Sequence, residues 1–149
     1  MVELENIHDK ALEFSPIHRI VTETDEEALL DELQKTCCAP NGYPVQWYTK
    51  ERQGVLYLNQ NKSRLAVAIL QNFLDEYLKN HRGQMDYIHG EEALKNLAEK
   101  ENAVGFLLPA MEKRELFPYV TESGTLPRKT FSMGHATEKR YYLEARQIR

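Results

Sequence analysis

Residues 66–108, AVAILQNFLDEYLKNHRGQMDYIHGEEALKNLAEKENAVGFLL, contain the pattern that decides the fold class. From Ala66 to Leu78, apolar side chains recur every three or four residues, which is typical of a helix with one apolar face. Met85–Ile88 has the length of a short strand, and a second helix is predicted directly after it. Ala103–Leu108 is an uninterrupted apolar run, as expected for a strand buried on both faces. This stretch therefore predicts strands that alternate with helices.

The residues before this stretch continue the alternation. Phe14–Val21 (FSPIHRIV) is predicted to be a strand. Thr24 and Glu27 have the spacing of a capping box, which predicts the start of a helix. Cys37–Gly42 is rich in turn residues and is expected to end that helix. The four residues 51–54, with glycine last, join two strand-like runs and predict a β-hairpin.

The residues after Leu108 complete the predicted fold. Met111–Val120 is predicted to be a short helix that Pro118 limits or kinks, and Arg140–Gln147 a last strand. The order β-α-β-β-α-β-α-β-α-β indicates the α/β class, with α+β as the alternative. We expect a mixed sheet of about five to six strands, with about three to four helices packed on it. Ala103–Leu108 should lie at its centre.

Length and composition limit the classes of protein that fit. A chain of 149 residues suits one domain spanning residues 1–149. With 42% hydrophobic and 28% charged residues, it resembles neither disordered nor collagenous chains. The net charge of −4 argues against a protein that coats nucleic acid or an anionic membrane.

The cysteines and the N-terminus predict a cytoplasmic setting. Cys37 and Cys38 are adjacent, an arrangement that rarely forms a disulfide and cannot by itself complete a zinc site. Reduced thiols in a reducing compartment are the simplest interpretation. The first ten residues lack the apolar core of a signal peptide, and no apolar run reaches the ~20 residues that span a bilayer. We therefore expect a cytoplasmic protein without membrane contact.

The best candidate site is the basic segment, Leu126–Arg140, with the sequence LPRKTFSMGHATEKR. From Arg128 to the C-terminus there are six Lys or Arg and two Glu, a local charge of +4, so the remaining residues carry −8. Such separation favours an anion site for phosphate or carboxylate, with His135 as a candidate acid or base. The alternative is a solvated hairpin whose cations face water or pair with acidic helices. The candidate anion-binding residues here are Arg128, Lys129, Thr130, Ser132, Gly134, Lys139 and Arg140.

A second candidate is the pair His18–Arg19 in the first predicted strand. His18 is a candidate catalytic residue, and Arg19 is a candidate anion ligand. The alternative is a structural role, in which Arg19 forms an ion pair with a carboxylate. Convergence of His18 with the basic segment in space would favour the functional interpretation.

Other chemistries have weaker support. Asp86, His89, Glu91 and Glu92 cluster in sequence, but the two glutamates suit the start of a helix and no HExxH spacing is present. We therefore predict no metal site. The sequence also lacks a GxSxG elbow and a CxxC pair, which argues against common hydrolases and thiol oxidoreductases.

Three segments resemble the C-terminal half of a bacterial and archaeal family, domain of unknown function 1015. They are SPIHRIV (Ser15–Val21), AVGFLLPAM (Ala103–Met111) and GTLPRKTFSMGHATEKRYYLEARQI (Gly124–Ile148), in the same order. Members of this family are sometimes labelled as ParB-like chromosome-partitioning proteins.

The resemblance implies that the chain is the C-terminal domain of a longer protein. Family members carry an N-terminal Asp-Gly-His-His-Arg-Tyr motif, similar to that of the ParB and sulfiredoxin superfamily with its nucleotide-dependent free-serine kinases. This motif does not occur in the 149 residues. The resemblance thus implies a partner in the missing N-terminal domain, with ATP or ADP as the cofactor of the full-length protein. We expect a basic anion site that contributes to a phosphotransferase-like protein. The alternatives are a homodimerisation or interaction module and, third, ParB-like nucleic-acid binding.

Overall fold

Helices and strands alternate in the predicted order in the computed structural model, which describes residues 6–8, 10 and 12–133. The strands are β1 (Phe14–Thr22), β2 (Cys38–Tyr48), β3 (Gln53–Leu58), β4 (Gln84–His89), β5 (Ala103–Leu107) and β6 (Phe131–Met133). The helices are α1 (Glu26–Cys37), α2 (Ala66–Asn80), α3 (Glu91–Ala98) and α4 (Lys113–Ser123). The predicted class and the predicted numbers of strands and helices are confirmed.

The sheet has the strand order β3-β2-β5-β1-β4, and β6 also pairs with β1. β5 lies at its centre, as the apolar run predicted. All pairings between the described strands are antiparallel, so the sheet is not mixed in direction. α1 joins β1 to β2, and α3 joins β4 to β5; the two strands of each pair run parallel to each other. They do not pair directly, because β5 lies between β1 and β2, and β1 lies between β4 and β5. This split arrangement corresponds to the α+β alternative.

The larger core lies on one face of the sheet, beneath α1 and α2. On α1, Leu29 and Leu33 are fully buried and Leu30 is half-buried. The apolar face of α2 is buried over most of its length. From the sheet, Val21 and Phe106 are fully buried in the same cluster. Burial of such side chains stabilises the fold by about 1.5–3 kcal/mol each.

α3 covers the opposite face of the sheet and forms a smaller core. Leu94 and Ala98 of α3 pack there with Ile20 and Ala103. Gly105 permits close packing of this helix, because a Cβ atom at that position would lie 3.1 Å from Leu94 Cγ. β5 therefore has cores on both of its faces, as expected for the centre of the sheet.

The structure corrects the predicted start of α1 and confirms its predicted end. Asp25, not Thr24, is the N-cap, and its carboxylate accepts a hydrogen bond from Ala28 N at 3.0 Å. The turn-rich stretch does end α1, but its residues begin β2 instead of forming a separate turn. Asn41 has a φ of +63°, and the β2–β3 register shifts between Cys38 and Tyr43. The turn residues are thus used for an irregularity within a strand.

The described C-terminal part ends in a short strand, β6, that the sequence did not predict. Phe131–Met133 pairs with Phe14–Pro16 of β1, and the rings of Phe14 and Phe131 stack at 3.9 Å. The predicted strand Arg140–Gln147 lies outside the described residues. Within the described part of the chain, no helix combines the length and the apolar character needed to cross a membrane.

Candidate functional site

The structure brings β1 and the basic segment together. β6 lies within the segment and pairs with the start of β1, while Arg19 of β1 contacts the loop that precedes β6. The hydrogen-bonded residues Arg19 and Arg128 are 109 positions apart in the sequence. The two candidate regions that were identified separately are therefore parts of one structural unit.

Arg19 is the anchor of this unit. Its side chain is completely buried. Its Nη1 donates hydrogen bonds to the main-chain oxygens of Ile17 at 2.7 Å and Lys129 at 3.1 Å, and its Nη2 donates to the main-chain oxygen of Arg128 at 3.0 Å. Its Nε donates to Gln71 Oε1 at 2.9 Å. Arg19 thus uses four of its five N–H donors within the protein and positions the loop, so the geometry does not favour it as a direct anion ligand.

Gln71 and Asp75 of α2 link Arg19 back to the side chain of Arg128. Gln71 Nε2 donates to Asp75 Oδ1 at 2.9 Å, and Arg128 Nη2 donates to the same oxygen at 3.0 Å. Because Arg128 O accepts from Arg19, the four residues form a closed ring of hydrogen bonds. Sequence reasoning missed Gln71 and Asp75, although their spacing of four residues on a predicted helix places them on one face.

Burial changes the acidity of Arg19. Desolvation is the main cause that lowers the pKa of its guanidinium to about 10; Arg128 contributes a smaller lowering, whereas Tyr87 and Asp75 act in the opposite direction. The group remains charged at neutral pH, since this value is still well above 7. The loop therefore rests on a buried cation whose direct hydrogen-bond partners are neutral oxygens.

Arg128 and Lys129 expose their side chains beside this anchor. Lys129 has a left-handed backbone with a φ of +50°. Its Nζ lies 4.6 Å from the centre of the Tyr87 ring, and Arg19 Cζ lies at the same distance from that ring. Among the described residues, the buried Tyr87 hydroxyl has no hydrogen-bond partner. No pattern in the sequence indicated that Tyr87 would lie between the two basic regions.

The hydroxyls predicted to bind the anion face the interior. Thr130 and Ser132 are each 7% exposed. Thr130 Oγ1 donates to the main-chain oxygen of Pro127 at 2.6 Å, which shapes the loop. These two residues therefore support the segment from within. Four further predicted residues lie outside the described part of the chain: Gly134, His135, Lys139 and Arg140.

His18 has a structural contact at the end of the central strand. It is 4% exposed, and its Nδ1 accepts a hydrogen bond from Leu108 N at 3.2 Å. Burial is the main cause that lowers its pKa to about 4, with smaller lowering effects from His89 and Arg19 and an opposing effect from Glu91. His18 is therefore a neutral acceptor at pH 7. This geometry does not favour the predicted catalytic role.

The remaining polar clusters show internal pairing. Asp86 accepts a hydrogen bond from Tyr87 N at 2.7 Å, and Glu91 forms an ion pair with Lys95 at 2.7 Å. In the described residues, no group of three or more His, Cys, Asp or Glu side chains is placed to hold a metal ion. Cys37 and Cys38 are free, and burial raises the pKa of both thiols, which favours the unreactive protonated form.

A wide groove of about 1520 Å³ lies at the start of α1, away from the basic segment. Its lining mixes both signs of charge, and Lys50 pairs with Glu101 at 2.9 Å while Arg52 pairs with Glu27 at 3.3 Å. Six acidic side chains outnumber the three Lys and Arg side chains of this lining, so the groove has no comparable concentration of positive charge.

Comparison with known proteins adds no relative: the chain matches no family model, no curated protein and no solved structure. The resemblance to the domain of unknown function 1015 family stays a prediction from the three quoted segments.

Proposed function

We propose that the chain binds a phosphate-bearing or carboxylate-bearing ligand through Arg128 and Lys129, and that it contributes this anion site to a phosphotransferase-like protein. The observation that carries the proposal is the pair of hydrogen bonds from buried Arg19 to the main-chain oxygens of both residues. These bonds fix the backbone from which the two exposed cations project. A fixed backbone lowers the entropic cost of binding an anion.

The local charge supports this proposal. Arg19 and Lys129 lie at the Tyr87 ring, and the main-chain oxygen of Arg128 is hydrogen-bonded to Arg19. Asp75 is the carboxylate that pairs with Arg128 among the described residues. The charge of Arg19 is screened little by solvent because the side chain is buried. Its field therefore adds to that of the exposed cations and favours an anion at the surface.

The wider setting follows from the sequence resemblance. ATP or ADP would supply the phosphate groups, and the predicted N-terminal domain would complete the site. The free cysteines are compatible with the cytoplasmic location that belongs to this proposal. His135, Lys139 and Arg140 continue the basic segment in the sequence and stay candidates for the same site.

The test is a thermal-shift titration with inorganic phosphate, ADP and ATP at two salt concentrations. A ligand at a hundred times its Kd stabilises the protein by about 2.7 kcal/mol, which raises the Tm by roughly 5–10 °C for a chain of this size. We expect Arg128→Gln with Lys129→Gln to abolish the shift. The matched control, Arg82→Gln with Lys100→Gln, removes the same charge from other exposed positions and should retain it. No shift with any anion, or equal loss in the control, would contradict the proposal.

A second candidate, contact with another polypeptide, is favoured by α4. Phe117 and Val120 are 64% and 42% exposed, and their spacing of three residues places them on the same side of the helix. A second copy of the chain or the predicted N-terminal domain would bury this surface. Sedimentation equilibrium distinguishes the homodimer: we expect association that Phe117→Ser weakens. A chain that stays monomeric at high concentration would contradict it.

A further inference from the structure

We propose that Asp75 is a built-in competitor for the ligand of this anion site, and that the site consequently selects dianionic phosphate groups over single carboxylates. This inference rests on the proposed function and assigns to it a ligand class and a means of control. The observation is that Asp75 Oδ1 accepts a hydrogen bond from Arg128 Nη2 at 3.0 Å, where an incoming anion would bind.

The position of Asp75 is fixed by its neighbours. Arginine only donates hydrogen bonds and an ionised carboxylate only accepts them, so Gln71 must direct Oε1 to Arg19 and Nε2 to Asp75. Gln71 is 3% exposed and lies on the same helix, four residues before Asp75. The carboxylate is therefore held in place by the buried anchor and not merely attracted to a mobile arginine.

The Arg128 side chain is free to leave Asp75. In the ion pair, the side chains of Arg128 and Asp75 are 65% and 39% exposed, respectively. Exposed pairs of this kind contribute little to stability, typically below about 1 kcal/mol. By contrast, the main chain of Arg128 is held by Arg19. An anion can thus take the guanidinium from Asp75 without disturbing the loop.

Competition with a carboxylate has a direct consequence for selectivity. A ligand carboxylate offers Arg128 the same single charge that Asp75 already provides, so the exchange gains little. A phosphate dianion carries more charge and more acceptor oxygens, and it can also attract Lys129. The dianion is therefore the ligand that displaces Asp75 most effectively.

The experiment compares Asp75→Asn with Glu76→Gln in calorimetric titrations of the whole chain with inorganic phosphate and with acetate. Both substitutions remove one negative charge from α2, but Glu76 pairs with Lys79 at 2.6 Å instead of Arg128. In Asp75→Asn, the side-chain amide oxygen can still accept from Gln71, so the ring loses its charge and keeps its shape. Circular dichroism checks folding, and Asp75→Ser serves as the second variant.

We expect wild type to bind phosphate more tightly than acetate, and Asp75→Asn to tighten phosphate binding about fivefold at low salt. Glu76→Gln should change it less than about twofold, because its charge is not at the site. The proposed role of Asp75 as a competitor would be overturned by an equal effect of both variants, by weaker phosphate binding in Asp75→Asn, or by a wild-type preference for acetate. Phosphate that binds wild type and Asp75→Asn equally would overturn it while leaving the anion site standing. Phosphate that binds neither protein would overturn both.

Discussion

Replacing Arg19 with methionine tests the anchor on which the candidate site depends. Met has a similar length but no donors, so Arg19→Met leaves three main-chain oxygens and Gln71 Oε1 without the hydrogen bonds that they now accept. Hydrogen bonds from a charged donor contribute about 1.5–3 kcal/mol each. Four such bonds give a gross contribution on the order of 6–12 kcal/mol.

Two effects reduce this figure. Burial lowers the pKa of Arg19 from 12.5 to about 10, and each pKa unit corresponds to about 1.4 kcal/mol, so holding the charge in the folded state costs about 3 kcal/mol. In the variant, the loop can also move to let water reach the oxygens of Arg128 and Lys129, which recovers part of the loss. We therefore expect a net destabilisation of about 3 kcal/mol, or a Tm lowered by roughly 6–12 °C.

Urea unfolding followed by circular dichroism measures this change, and hydrogen exchange at residues 126–131 locates it. Arg128→Met is the matched control, because it removes an exposed guanidinium but keeps the main-chain oxygen that Arg19 holds. We expect the control to lose less than about 1 kcal/mol. If Arg19→Met unfolds within about 1 kcal/mol of wild type, or if both variants lose the same stability, Arg19 does not anchor the loop.

Two further predictions concern groups that the structure reassigned. The folded pKa of His18 is depressed to about 4, so its contribution to stability is complete above the unfolded value of 6.5 and is lost as the pH falls toward 4. The loss is at most about 3 kcal/mol. His18→Asn, whose side-chain oxygen can accept from Leu108 N, should flatten this part of the pH–stability profile measured by urea unfolding; an unchanged slope would show that other groups cause it. Asp25→Ala should destabilise the protein by about 1 kcal/mol through loss of the α1 cap, and Glu27→Ala by only a few tenths. A larger loss of stability in Glu27→Ala than in Asp25→Ala, measured by thermal unfolding, would instead support the capping box that the sequence predicted.

The sequence predicted those parts of the fold that depend on neighbours along the chain. The apolar face of α2 and the doubly buried run of β5 appear in the sequence as periodicity, and both are present in the structure. The order of the elements was also correct. Turn residues were less informative: the Asn-Gly pair at 41–42 serves an irregular strand, because the register between β2 and β3 depends on β3 as well as on the pair itself.

In the candidate site, too, the sequence indicated the local features and not the contacts between distant residues. Its cations were visible in the sequence because Arg128 and Lys129 are adjacent and the charge of the C-terminal segment is uneven. The role of Arg19 was not visible: its partners come from β1, α2 and the basic segment, which only the folded chain brings together.

The sequence by itself determined the α-and-β class, the element order and the location of the positive charge, since these follow from local spacing and composition. Only the tertiary structure decided the antiparallel pairing, the internal role of His18 and the ring that joins Arg19 to Asp75. The physical reason is that a buried polar group takes whichever partner the packing supplies. For Arg19, one such partner is the main-chain oxygen of Arg128, 109 residues away in the sequence.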